Sequence, residues 1–293
     1  MRDPVHTVKI GVFMKPTFSV ITPSLRQSDW LKLCAASIAD QEGVALEHIV
    51  QDAGTGAELE SWAAGRSGLR LCVEKDDGMY DAVNRGLRKS TGEILAYLNC
   101  DEQYLPGTLA AVRDFFAAHP EVDIAFGDAI VVDGNGGYHC SRQVVLPGLH
   151  HTQICTLGVF TACTFFRRSL IDQHGLFFSP EWRVTGDAMW VVDLLRKKIP
   201  MAVLRRFTST FTETGDNLST KPGATTEASR MREMAPNWAQ RAAPLWALGH
   251  RFRRLLAGVY FPEKLRYSIY TPASPDARIE FKVDAPTFVW RGR

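Results

Sequence analysis

The sequence has no cysteine pair at CxxC spacing, and its six cysteines (Cys34, Cys72, Cys100, Cys140, Cys155 and Cys163) are scattered. That excludes a cysteine-bound zinc module and fits free thiols in a reducing compartment. Long apolar runs are missing. The longest, Ile154 to Phe166, falls short of the roughly 20 residues that a membrane-spanning helix needs. Met1 to Pro16 has no extended apolar stretch of the kind a signal peptide carries. A cytoplasmic protein is therefore expected. Neither sign of charge dominates: 34 Lys and Arg face 32 Asp and Glu, a formal charge of +2. That is too little for the basic stripe of a nucleic-acid binder. There are no internal repeats or low-complexity tracts. No GxxxxGK phosphate loop is present, and no GxGxxG opens the first helix.

What is present is an ordinary globular composition, 45% hydrophobic and 23% charged, over 293 residues. This suffices for one large α/β domain, or one domain with an appendage. Strands are expected at Phe18–Thr22, stopped by Pro23, and at His48–Gln51, Leu69–Val73, Glu93–Leu98 and Val122–Phe126. Helical patterns follow through Trp30 to Ile38, Glu58 to Ala64, Met79 to Lys89, and from Pro106 through Phe116. Asp76-Asp77-Gly78 can cap the third of these helices, and Gly92 ends it. Gly134–Gly137, flanked by Ile130–Asp133 and Tyr138–Ser141, is a hairpin signal. A helix after Asp187 and a strand at Met201–Phe207 complete the set. Strand and helix alternate in the first half, which predicts a mostly parallel sheet covered on both faces. The texture changes near Thr225. A basic helical stretch, 242–260, then precedes strand-like runs near Ser268 and from Arg278 to Val289. The expected organisation is an N-terminal extension (1–17), an α/β domain (18–224) and a C-terminal appendage (225–293).

Ligands of open α/β sheets sit outside the carboxyl ends of the strands. Four successive strand ends here carry polar or acidic groups: Thr22-Pro23-Ser24, Asp52, Glu74-Lys75-Asp76-Asp77 and Asn99-Cys100-Asp101-Glu102. Clustered carboxylates repel unless something positive joins them, so a divalent cation is the natural partner. Asp101 is the best candidate ligand. Mg²⁺ or Mn²⁺ would use few protein carboxylates there and leave positions for phosphate oxygens. The plainer alternative is that Asp101 and Glu102 only cap the helix after Pro106.

The run Glu74-Lys-Asp-Asp-Gly-Met-Tyr-Asp-Ala-Val-Asn-Arg-Gly86, then Ser90-Thr-Gly-Glu93 and Leu98-Asn-Cys-Asp-Glu102, resembles the bacterial family 2 glycosyltransferases. Ser19–Ser24, His48–Asp52, Phe165–Arg168, His174–Phe177 and Thr185–Asp187 are similar to the same family, in the same order. The likeness runs from Phe18 to about Ser219 and points to the subgroup that builds polysaccharides of the colanic-acid kind. It implies a GT-A fold: a Rossmann-like, mostly parallel sheet flanked by helices, with a small helical and β appendage at the C-terminus. It also implies roles. Thr22, Pro23 and Ser24 would line the nucleotide, and Asp52 would accept a ring N–H of the base. Asp76 would face the ribose or base. Asp81, Asn84 and Gly86 would close over the donor beside Asn99. Asp101 would hold the metal, Mn²⁺ or Mg²⁺, and Asp187 would be the catalytic base. Three positions depart from the family's wording. Asn99 replaces an acid, Lys75 a proline, and Thr161-Ala162 a His-Gln pair. His150-His151, just upstream, could supply the missing imidazole or a metal ligand, or be loop residues.

The implied function is inverting transfer of a sugar from a nucleotide-diphosphate donor to an acceptor hydroxyl, in cell-surface polysaccharide or glycolipid biosynthesis. Two other classes stand beside it. A nucleotidyltransferase that makes sugar nucleotides would normally carry a Gly-rich loop after the first strand, where Ser24–Ser28 has no glycine. A non-catalytic sugar-nucleotide-binding protein would lack a base, where Asp187 stands. No QxxRW motif marks a processive enzyme, so addition of one sugar at a time is expected. Trp182 and Trp190 could stack on an acceptor sugar, although packing in a core is the commoner fate of Trp. Leu245, Trp246, Leu248, Phe252, Leu255, Leu256 and Val259 recur at helical spacing among arginines. Stretch 242–260 could therefore pack on the α/β domain, or rest on the inner face of the cytoplasmic membrane near a lipid-linked acceptor.

Overall fold

The computed structural model describes residues 17–26, 28–215, 217 and 223–290. Apart from residue 17, the expected N-terminal extension lies outside the described residues. In chain order the strands and helices are β1 (Phe18–Ser24), α1 (Ser28–Ala39), β2 (Leu46–Asp52), α2 (Ala57–Ala64), β3 (Leu69–Val73), α3 (Met79–Lys89) and β4 (Ile94–Tyr97). Next come β5 (Gln103–Tyr104), α4 (Thr108–Ala118), β6 (Ile124–Asp133), β7 (Tyr138–Arg142), α5 (Leu149–Ile154), β8 (Thr164–Arg167), α6 (Ser169–Asp172) and α7 (Gly186–Arg196). The chain continues through β9 (Met201–Glu213), α8 (Gly223–Glu233), α9 (Asn237–Arg241), α10 (Ala243–Leu256), β10 (Leu265–Thr271) and β11 (Ser274–Val283).

The main sheet runs β3-β2-β1-β4-β8-β6-β9-β5, with β7 paired to β6. The first four strands are parallel, as the strand–helix alternation predicts. In the second half β6 and β9 pair parallel and point the same way as β1 to β4, so the sheet is mostly parallel as expected. Parallel neighbours need a crossover helix, and α7 lies in the connection that leads to β9. The reversed strands are β8, antiparallel to β4 and β6, β5, antiparallel to β9, and β7, joined to β6 as a hairpin. β1 does not stop at Pro23. Its pairing with β4 ends at Ile21, whereas pairing with β2 runs on to Ser24. The missing N–H of Pro23 therefore costs no ladder bond.

Two apolar layers enclose the sheet. One joins Ile21, Leu95, Phe126 and Phe166 to Tyr80 and Val83 of α3 and to Trp190 and Leu194 of α7. The other joins Phe18, Val20, Ala96 and Phe165 to Cys34 and Ile38 of α1 and Leu109 and Phe116 of α4. Trp190 and Trp182 are both buried, so neither offers a platform to an acceptor sugar. All six cysteines are unpaired, and four of them are buried.

Close packing explains several motif glycines. A Cβ on Gly86 would lie 2.5 Å from Ile21 Cγ2, and one on Gly92 would lie 2.5 Å from the Phe18 carbonyl carbon. α3 and the turn after it therefore sit directly on β1. Glu47 secures that turn by accepting bonds from the Thr91 and Gly92 amides and from the Ser19 and Thr91 hydroxyls. α3 ends at Ser90, whose hydroxyl donates to the Leu87 carbonyl, rather than at Gly92.

The hairpin β10–β11 is fastened to the main sheet. Tyr267 and Ile269 pack on Leu105, Ile130 and Val132. The Gln103 side chain pairs with the Tyr270 backbone, and Arg278 reaches both oxygens of Asp40. α8 (Gly223–Glu233) runs across the boundary between 224 and 225, where the sequence suggested that the appendage begins.

Candidate active site

Because β1 to β4 are parallel, their carboxyl ends share one edge. Ser24 stands opposite Asp52 in register, and Glu74 donates its amide to the Asp52 carbonyl. On this edge the expected donor residues fall into two sets.

The first set holds backbone in place. Thr22 is buried, and its hydroxyl pairs with His48 Nε2 at 2.9 Å, turned away from the edge. The Pro23 carbonyl accepts the Cys100 thiol. The buried Asp52 carboxylate accepts the Gly54 and Thr55 amides at 2.9 and 2.6 Å and the Thr55 hydroxyl at 2.5 Å. It thereby organises loop 52–55. Asn84 is buried and bonds Phe178 twice: Nδ2 donates to its carbonyl at 2.7 Å, and Oδ1 accepts its amide at 3.0 Å. Gly86 serves the α3–β1 contact described above.

The second set faces outward or carries uncompensated charge. Among the described residues, the buried atoms Ser24 Oγ and Asn99 Oδ1 have no hydrogen-bond partner. Asp76 accepts the Gly78 amide, and burial raises its carboxyl above the usual range. It does not cap α3. Asp81 does the local work, accepting the Asp77 amide and both Nε and Nη2 of Arg85. Burial pushes its carboxyl up, but the bonds from Arg85 and Asp77 outweigh that and hold it low.

Asp101 and Glu102 lie beside Asn99 just past β4. Burial raises both carboxyls, and the charge of Asp101 raises Glu102 further. Glu102 accepts the Asn99 amide at 2.9 Å, and Asp101 accepts Asn217 Nδ2 at 3.3 Å. Among the described residues no cationic side chain pairs with either. Asp187, in the first turn of α7, is near enough to raise Glu102 as well. Its own carboxyl is raised by burial, against the bond from the Ala188 amide, while the nearby Tyr80 hydroxyl donates to the Val184 carbonyl. Three carboxylates from two distant stretches of chain thus share one desolvated region. Among the described residues no group of three or more His, Cys, Asp or Glu could hold a metal unaided. The donor set fits a divalent cation that completes its shell with ligand oxygens, such as those of a diphosphate. Asp101 would be the protein carboxylate in that shell, next to the unpartnered Asn99 oxygen.

Asp187 is positioned from two sides. A Cβ on Gly186 would meet the Tyr80 ring at 2.6 Å, so glycine there lets α3 abut the start of α7. On the other side Glu227 of α8 accepts the Arg183, Val184 and Thr185 amides at 2.8 to 2.9 Å, and the Thr185 hydroxyl. Sequence reasoning missed Glu227. It lies beyond the family-like stretch in a polar segment, and no local pattern marks a side chain that binds backbone more than 40 positions away. Glu227→Ala should speed amide exchange at 183–185 and lower kcat more than it changes KM. Unchanged exchange and kcat would remove Glu227 from the site. Glu102, by contrast, lay within a motif and could be suspected from its position beside Asp101.

His150 and His151 lie in helix α5, not in a loop. His150 packs against Trp238 and Trp246, and His151 stacks on His250 at 3.9 Å.

The mixed sheet flanked by helices matches crystal structures of Staphylococcus aureus TarS, residues 1–349. The complex with UDP-GlcNAc aligns with TM-score 0.57 at 16% identity, over 83% of this chain and 73% of that one. The complex with UDP aligns with TM-score 0.55. This is the GT-A architecture of glycosyltransferases. In sequence, the "PGL/p-HBAD biosynthesis glycosyltransferase" of Mycobacterium bovis and that of Mycobacterium tuberculosis are each 32% identical over 182 residues, covering 59% of this chain and 67% of theirs. An uncharacterized M. tuberculosis protein is 25% identical over 264 residues, 79% of this chain and 81% of its own. Residues 19–175 match the model of Glycosyl transferase family 2, and the chain belongs to that family.

Proposed function

We propose that this protein transfers a single sugar from a nucleotide-diphosphate donor to an acceptor hydroxyl, with inversion at the anomeric carbon. The observation that carries the reading is the convergence of Asp101 and Glu102, just past the carboxyl end of a central strand, with Asp187 of α7, whose charge reaches Glu102. Family membership favours it over a nucleotidyltransferase or a non-catalytic binder. That TarS was crystallised with UDP and UDP-GlcNAc supports a nucleotide-sugar donor.

In this mechanism the donor lies along the strand ends, with its diphosphate toward Asp101. A bound Mn²⁺ or Mg²⁺ would supply Lewis-acid stabilisation of the negative charge that grows on the leaving diphosphate. Asp101 would hold the cation, and loop 52–55, fixed by Asp52, would border the nucleotide. Asp187 accepts the proton of the attacking hydroxyl as the new C–O bond forms and the bond to phosphate breaks. Burial helps it, because a carboxylate with a raised pKa is a better proton acceptor. No second carboxylate is needed as nucleophile, so the displacement is single. The acceptor in this reading is of glycolipid or cell-surface polysaccharide type, as the family resemblance implies, and the mycobacterial relatives are likewise named for biosynthesis, of PGL/p-HBAD.

The test is a screen of UDP-, GDP- and dTDP-sugars with Mn²⁺ or Mg²⁺, reading nucleoside diphosphate release. Release from one nucleotide class, accelerated by an amphiphilic or carbohydrate acceptor, is expected. No release from any of them would contradict the reading.

A further inference from the structure

Apart from Trp246, helix α10 does not use its large apolar side chains to pack on the protein. No residue of it is buried. Leu245 is 66% exposed, Leu248 63%, Phe252 57% and Leu256 71%, and Leu255 is exposed as well. At roughly 100° per residue these five and Gly249 fall within one arc of about 120°. The opposite side makes the protein contacts. Ala243 and Trp246 pack on Ile154, Ala235 and Ala239, Trp246 Nε1 donates to the Ala239 carbonyl, and His250 stacks on His151. Packing of the leucines against the α/β domain, one of the two readings open from sequence, is therefore not how the helix is used.

We infer that this face is a docking surface for an anionic lipid bilayer. Charge and shape both favour that occupant. Arg251 and Arg253 fall on the two borders of the apolar arc; Arg253 also donates to the Leu146 carbonyl, while Arg251 is exposed and its long basic side chain can reach phosphate headgroups as the leucines enter the acyl boundary. From Arg241 to Arg266 there are six Lys or Arg and one acid, Glu263. The whole chain carries only +2, so the rest of it is net acidic and the basic charge is concentrated here. Trp238, which lies against Trp246, and Phe261, just beyond the helix, add exposed aromatic surface. A second copy of the chain is a poorer occupant. A two-fold pairing of this face would bring the flanking arginines of both copies together. α5 packs against both α10 and α7, so the surface is one helix removed from the element that carries Asp187.

Flotation of the full chain with vesicles tests this independently of any catalytic activity. The protein should float with phosphatidylcholine–phosphatidylglycerol vesicles at low salt, float less as salt rises, and float weakly with phosphatidylcholine alone. Leu248→Ser/Phe252→Ser, at exposed positions, should cut binding at least about tenfold with an unchanged melting temperature. Arg251→Glu should weaken binding to anionic vesicles only. Absence of flotation at low salt, or flotation that the double substitution leaves intact, would overturn the inference. So would a concentration-dependent dimer that the same substitution dissolves, because the face would then be an interface between copies.

Discussion

Asp187→Asn is expected to lower kcat about 10²–10⁴-fold, the usual contribution of a positioned general base, with donor affinity little changed. The carboxylate sits in the first turn of α7, buried, with its pKa raised, and its loop is held by Glu227 on one side and Tyr80 on the other. Asn keeps the shape and can still accept the Ala188 amide, so the fold should survive. What is lost is the proton acceptor. If kcat stays within about tenfold of wild type, the proton goes elsewhere.

Asp101→Ala is the complementary change and should abolish metal-linked donor binding as well as turnover. Its effect on stability should be small or favourable at neutral pH. Burial raises the Asp101 carboxyl in the folded state, so the folded protein binds its proton more tightly than the unfolded chain does. As pH rises through that raised pKa, ionisation costs the fold stability, and removal of the carboxyl removes the cost. A melting temperature at or above wild type, with no Mn²⁺- or Mg²⁺-dependent binding of a nucleotide sugar, is the expected pair of results. Full activity in excess EDTA would contradict a metal at Asp101.

Much of the fold is written in local patterns. The β-branched runs and the period of α3 and α7 place the parallel strands and their covering helices within a residue or two. The reversed strands are not legible in this way. β8 is four residues long and takes its place between β4 and β6, antiparallel to both, through pairing with distant strands that no local pattern marks. The site shows a similar division. The carboxylates at strand ends announce themselves because acids are costly in a core without a partner. The motif does not say which of its residues meet a ligand and which hold the framework. Asn84 and Asp52 have the chemistry of ligand contacts, yet they spend it on the backbone of Phe178 and of loop 52–55. Gly86 reads as part of a donor motif and proves to be a contact with Ile21. The pattern of α10 identified an apolar face, but periodicity alone could not say whether that face was covered.

The central claim is a single displacement in which Asp187 takes the proton of the acceptor hydroxyl. Early-time proton NMR of the reaction with an α-linked nucleotide sugar tests it most directly. The account predicts that the first-formed glycoside is the β anomer, and that Asp187→Asn forms it far more slowly with the same configuration. An α-linked first product would contradict it, because retention requires a second displacement or a different face of attack.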